Sequence, residues 1–259
     1  MNSAATFLMA VLSAAPASAL ACELEFAYAH QVSSPYVTDA KAGEPLPGLA
    51  IEIVAQAVAS QGCKAVFVRL PGKRVLAEVA ANQHAGAIMF SYSEERRRSV
   101  VFPTDAAGKV DSVRRLARLN YFLYRMAGSK LEWDGTHLTH LDGTIGANLG
   151  YAVVADLQAL GAKVEEVPTT AQNLEKLRLG RLAAYAMHDF GVEVALRAPQ
   201  YSKVERMPIV LSVRDYYLSF SPRFYRDNKA LAERIWDELA RTRDKVMRER
   251  VADYMKPPA

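Results

Sequence analysis

Leu24, Phe26 and Tyr28 recur every second residue, a period that predicts a strand near the start of the chain. After Pro47-Gly48 the period changes. Leu49 to Gln61 reads as a helix, with Gly62 as its stop. Val66 to Leu70 is a second strand, and Val75, Leu76, Val79 and Ala80 mark one face of a short helix. Ala85 to Phe90 is apolar throughout, as a buried strand is. The order β-α-β-α-β predicts a parallel sheet with both faces covered.

A second series starts near Tyr121. Tyr121 to Tyr124 and Thr144 to Asn148 read as strands, and Tyr151 to Leu160 as a helix stopped by Gly161. Val164 to Val167 is a strand, Leu174 to Leu179 part of a helix, Ala183 to Met187 a strand, and Phe190 to Leu196 a helix. The chain ends on a strand, Tyr216 to Phe220, and a long amphipathic helix. The apolar positions of that helix are Leu231, Ile235, Leu239 and, after a break at Arg243, Val246 and Met247. Two α/β units without a Gly/Ser-rich linker predict lobes joined by short strands.

Composition adds bounds. The 259 residues are 51% hydrophobic and carry a net charge of +4, so no nucleic-acid partner is expected. The densest basic run, Arg96 to Arg98, directly follows Glu94 and Glu95. The first 21 residues hold no charged side chain and end on Ala19-Leu20-Ala21, which reads as a cleaved secretory signal. The mature protein is therefore expected to be exported. Cys22 and Cys63 are the only cysteines. Cys22 is either a lipid-attachment site or half of a disulfide, and the disulfide is favoured because both cysteines open predicted neighbouring strands. Closing a loop between cysteines 41 residues apart stabilises a fold by roughly 4 kcal/mol in the chain-entropy model.

Ligands of open α/β sheets bind beyond the carboxyl ends of strands, and two ends here carry chemistry. At Ser91-Tyr92-Ser93, Ser93 is placed to cap a helical turn, with Glu94 and Glu95 favourable inside it. The charges either keep a solvated turn wet, or Arg96 folds back toward Ser91 and offers a planar fork of donors to a carboxylate, with Arg97 and Arg98 facing solvent. At Asn148-Leu149-Gly150-Tyr151, either free N–H groups make an anion site or Gly150 simply serves a tight turn. Tyr28, Tyr36, Phe90 and Tyr151 sit near strand ends, as pocket wall or as core. His137 and His140, three apart, are read as exposed residues of one helical face with no accompanying metal-ligand motif. His188-Asp189 is read as a helix cap or polar ligand contact. There is no G-x-S-x-G elbow, phosphate loop or dinucleotide fingerprint, so no catalytic residue, metal or cofactor is assigned.

Several stretches together carry a resemblance. They are Ser34-Pro-Tyr36, Pro47-Gly-Leu-Ala-Ile-Glu-Ile53, Leu70-Pro-Gly-Lys-Arg74, and Ser93-Glu-Glu-Arg96 with Phe102-Pro103 six residues on. Leu141-Asp-Gly-Thr-Ile-Gly146 with Gly150-Tyr151, and Leu179-Gly-Arg-Leu182, complete the set. In order and spacing the chain resembles the periplasmic solute-binding proteins of the amino-acid type, extracellular solute-binding protein family 3, over about Cys22 to Met255.

The resemblance implies a two-lobed type II periplasmic binding protein fold, each lobe a mixed, mostly parallel sheet flanked by helices. Residues 22–118 and 215–259 would form the first lobe and 119–214 the second. Hinge crossings are expected near Arg115 to Tyr121 and Val213 to Tyr217. It implies that Arg96 grips a ligand carboxylate, that Met89 and Ser91 add strand-end contacts, and that the turn Asn148 to Ala152, with Gly150 and Tyr151 in it, completes the cradle. The chain departs from the family at Ala50, near His84, at Tyr151 and Ala152, and at His188 or Asp189, where the family's carboxylate for an α-amino group aligns. A carboxylate-bearing solute outside the standard amino acids is thus expected as much as an amino acid. The implied protein is a monomeric periplasmic binder that delivers its solute to a membrane ABC permease and is not an enzyme. The rivals are a periplasmic dehydratase on the same fold, with His188, Asp189 or Glu52 as its acid or base, and a ligand sensor.

Overall fold

A computed structural model describes residues 22–40 and 44–255. The stretch 1–21, read as a secretory signal, lies outside the described residues. The first half opens with β1 (Cys22–Ala29), α1 (Leu49–Ala59), β2 (Cys63–Leu70), α2 (Gly72–Ala80), β3 (Gly86–Ser91) and the single turn α3 (Glu94–Arg97). The second half follows with β4 (Ala117–Met126), the short strands β5 (Glu132–Trp133) and β6 (Leu138–Thr139), β7 (Ile145–Asn148), α4 (Val153–Ala159) and β8 (Val164–Val167). It continues through α5 (Thr170–Arg178), β9 (Ala184–His188), α6 (Asp189–Leu196) and β10 (Val204–Arg206). β11 (Ser212–Phe220), α7 (Pro222–Asp227) and α8 (Lys229–Tyr254) end the chain.

The strands order as β2-β1-β3-β11-β4-β9-β7-β8, with β10 also on β4. β1, β2 and β3 run parallel, as do β7, β8 and β9, and β4 and β11 stand antiparallel between the two sets. The handover between them is local. β11 pairs with β4 over Ser212 to Tyr216 and with β3 over Tyr216 to Phe220. β4 in turn meets β9 from Tyr121 onward. Both central strands therefore belong to both halves.

One apolar cluster runs through both halves, from Phe26 and Ile53 to Ile145, Leu157 and Ala184, and a smaller one lies in the second. Phe26, Ile53, Ile88, Phe220 and Trp236 are fully buried between the first three strands, α1 and α8. Leu174, Leu177, Tyr185 and Val192 are buried under α5 and α6. α8 runs unbroken through the position where the sequence pattern faltered. There Arg243 donates to the carbonyls of Val113 and Arg115, at 2.9 and 2.7 Å, so a cation replaces an apolar residue to bind the crossing segment.

Cys22 and Cys63 are register partners at the two strand starts and are disulfide-bonded, with Cα atoms 4.6 Å apart. The bond uses the thiol that lipid attachment would need. A helical face for His137 and His140 is not found. They flank β6 of the β5–β6 hairpin, where Asp134 accepts the N–H groups of Thr136 and His137 and folds a turn instead. Among the described residues, no helix is long and apolar enough to cross a membrane.

Candidate functional site

The site begins where β3 ends. Ser93 Oγ accepts the Arg96 N–H at 3.2 Å and so starts α3, whose first turn holds Glu94 and Glu95 where N-terminal N–H groups favour acids. This winding turns Arg96 back over the strand. Its Nη1 donates to Ser91 O at 2.9 Å and Ser91 Oγ at 2.7 Å, and the guanidinium lies 5.6 Å from the Phe90 ring centroid. Among the described residues, no acceptor engages its Nε or Nη2 and no carboxylate pairs with it. Burial pushes the Arg96 pKa down, and Tyr216 and Glu95 nearby offset part of that. A desolvated cation without a counter-charge is a standing demand for an anion. Arg97 and Arg98 are exposed, and Arg97 faces Glu94 at 3.5 Å.

A cavity of about 540 Å³ adjoins this arginine, within the range usual for small-molecule sites. Ile88, Met89, Phe90 and Ser91 line it with Arg96 and Glu95. His30, Gln31, Ser33 and Val37, after β1, and Gly72, Lys73 and Leu76, from α2, close another side. From the other half come Leu149, Gly150, Tyr151, Ala152 and Pro168. Tyr216, the handover residue of β11, also lines it. Its hydroxyl meets that of Tyr121 at 2.5 Å, and burial raises both pKa values.

The remaining candidates separate. Tyr28 is buried in the first core under Arg69. Tyr36 is buried edge-on to Phe190 at 6.1 Å, and burial with the nearby Asp189 charge pushes it up to about 12. Asn148 is buried in a side-chain network, donating to Thr170 and accepting from Asn173 and Tyr185. His188 is fully buried, 3.0 Å from Ser33 Oγ, and burial depresses its pKa to about 3. Asp189 accepts the Phe190 N–H at 2.9 Å. None of these five lines the cavity, whereas Arg96, Ser91, Met89, Phe90, Gly150 and Tyr151 do.

At Gly150 the tight turn, of the two readings left open, is the one found. Its N–H groups are not open to an anion. Gly150 N–H donates to Glu166 Oε2 at 2.7 Å, and those of Leu149 and Tyr151 donate to Val167 O and Asn148 O. With φ at +76°, Gly150 serves a tight turn. The sequence pattern placed Leu76 on a helix face and Tyr216 at a strand start but put neither in the site, nor Ser33 or Lys73, although Ser33 adjoins Ser34-Pro-Tyr36 and Lys73 lies inside Leu70 to Arg74. No cluster of three metal-type ligands occurs among the described residues.

No protein-family model matches the chain, and no curated protein sequence does. Solved structures do match in shape. The GluR0 ligand-binding core from Nostoc punctiforme, in complex with L-glutamate, superposes with a TM-score of 0.66 at 16% identity, over 90% of this chain and 100% of that one. The amino acid ABC transporter substrate-binding protein AbpA from Streptococcus pneumoniae, bound to L-arginine, gives 0.67 at 16% identity over 90% and 96%. A histidine kinase sensor domain similar to periplasmic binding proteins gives 0.69 at 16% identity over 90% and 96%. At such identities the likeness establishes the fold, that of the type II periplasmic binding proteins.

Proposed function

We propose that this chain is an exported solute-binding protein that captures a small carboxylate-bearing solute, an amino acid or related organic acid, between two lobes. It then delivers the solute to a membrane ABC permease. The observation that carries the reading is Arg96, half-buried, free of any carboxylate partner among the described residues, and lining a cavity bounded by both halves of the sheet. The lobes divide where β4 and β11 cross, with residues 22–118 and 215–255 in one and 119–214 in the other. Closure brings both walls to the ligand, so affinity depends on the closed population.

The family resemblance of the sequence and the shapes of AbpA and GluR0 support the same reading. The leader-like residues 1–21 support export, and the protein acts as a monomer without a cofactor. The three groups weighed as a catalytic acid or base do not line the cavity. Glu52 is held by Arg250 and Tyr254, Asp189 by a backbone N–H, and His188 sits by Ser33. Presentation of the solute to a receptor is a second reading, favoured by the match to a kinase sensor domain. A thermal-shift screen with amino acids, organic acids and sugar acids tests the proposal, since a bound ligand raises Tm. A carboxylate that stabilises wild type but not Arg96→Ala supports it. A panel of carboxylates without effect overturns it, and turnover of the solute would make the protein an enzyme.

A further inference from the structure

On the reading that the cavity holds a carboxylate, we infer the class of its ligand: an organic acid with an apolar body and no ammonium group beside the carboxylate. The charges around the cavity are one-sided. Arg96 and Lys73 are cations, and among the described residues Glu95 is the one carboxylate that lines it. Glu95 is exposed in the first turn of α3, where water competes for any pairing. The wall from the other half, Leu149, Gly150, Tyr151, Ala152 and Pro168, holds no charge. Asp189 accepts the Phe190 N–H, Asp156 pairs with Arg214, and Glu166, exposed behind the wall, is taken by the Gly150 N–H. An ammonium group drawn into this space loses its water and meets no carboxylate among the described residues that line the facing wall.

The backbone makes the neighbouring wall apolar by a specific device. Tyr217 pairs with Phe90 and Leu218 with Ile88, so Met89 is the extra residue of a β-bulge, with φ at +64°. A regular strand would send alternate side chains to opposite faces. The bulge leaves Ile88 in the core with Val37 and lets half-buried Met89 stand at the cavity beside Phe90 and Leu76. Beside the guanidinium, the ligand therefore meets hydrocarbon, which rewards each methylene it buries.

Calorimetry on the full chain with matched pairs tests this: 4-methylpentanoate against L-leucine, and 3-phenylpropanoate against L-phenylalanine. The expected result is that the acid lacking the amino group binds at least about tenfold more tightly within a pair. That binding is lost in Arg96→Ala, whose circular dichroism and ligand-free Tm match wild type. Glu95→Gln should leave the ranking unchanged. If the amino acid binds as well or better and still requires Arg96, the inference fails while the carboxylate site stands. A ranking that depends on Glu95 also overturns the inference, by identifying an ammonium partner. If no acid in the panel binds through Arg96, the underlying reading fails as well.

Discussion

Ser33 Oγ lies 3.0 Å from His188 Nε2, a hydrogen bond between residues 155 apart that ties the loop after β1 to the end of β9. Tyr36 and Phe190 meet edge-on beside it. His188 is buried, and its pKa is depressed to about 3 from an ordinary value of about 6.5. The unfolded chain therefore binds a proton below about pH 6.5 that the folded chain refuses. The stability due to neutral His188 is complete above that pH and is lost as pH falls toward 3. The expected loss is roughly 1.4 kcal/mol per pH unit, or about 2 kcal/mol at pH 5. Urea unfolding at pH 7 and 5 should show it, and His188→Gln should show a flatter dependence. Equal slopes in the two proteins would remove His188 from the account.

Ser33→Ala deletes a bond that spans the two halves and trims one hydroxyl from the cavity wall. If the halves close on ligand, this bond favours the closed form by about 1 kcal/mol. The variant should then bind its carboxylate about fivefold more weakly, with the loss in the dissociation rate. Calorimetry and stopped-flow release measure both. Unchanged affinity would mean that the Ser33–His188 contact is indifferent to closure.

The disulfide joins the first residues of β1 and β2, an edge pair of the sheet. Cys63→Ser should lower stability by as much as about 4 kcal/mol, since the loop it opens is 41 residues long. Denaturant midpoints with and without reductant measure the loss. Two free thiols in the unreduced, denatured protein would contradict the bond.

Much of this architecture was legible because local patterns and tertiary packing agree. The alternation at Leu24, Phe26 and Tyr28 and the apolar run to Phe90 gave strands, since burial requires those residues whatever their neighbours. Arg96 was legible for another reason: a Ser-x-x-Arg turn at a strand end leaves the side chain few directions. The β5–β6 hairpin was not, because two-residue strands carry no period. Nor was the fate of His188 and Asp189. Ser33, 155 residues away in the chain, decides what the imidazole touches, and no local signal encodes that. The bulge at Met89 was hidden as well, since it depends on how Tyr217 and Leu218 register against β3.

Gly48 shows how a legible helix start conceals a steric requirement. Its φ is +125°, and a Cβ added there would stand 2.3 Å from Tyr36 O. Its N–H also donates to Tyr254 OH at 3.0 Å, which joins the start of α1 to the end of α8. Gly48→Ala should therefore cost more than about 2 kcal/mol of stability, through backbone strain and displacement of Tyr36. Thermal unfolding measures it. Tyr254→Phe removes only the hydrogen bonds to Gly48 and Glu52 and should cost about 1–2 kcal/mol.

Arg96 sets the sharpest test because its two roles oppose each other. In the ligand-free protein its burial disfavours the charge, and among the described residues it donates to Ser91 O and Ser91 Oγ and lies by the Phe90 ring. Removing it should leave ligand-free stability unchanged within about 1 kcal/mol. With a carboxylate bound, the same removal deletes charge-assisted hydrogen bonds worth about 1.5–3 kcal/mol each, so affinity should fall about a hundredfold or more. Arg96→Lys keeps the charge but not the fork, and should recover only part of that affinity. Calorimetry and thermal unfolding of wild type and both variants separate the two roles. If Arg96→Ala destabilised the ligand-free protein as much as it weakened binding, the arginine would be a structural strut for the β3 turn.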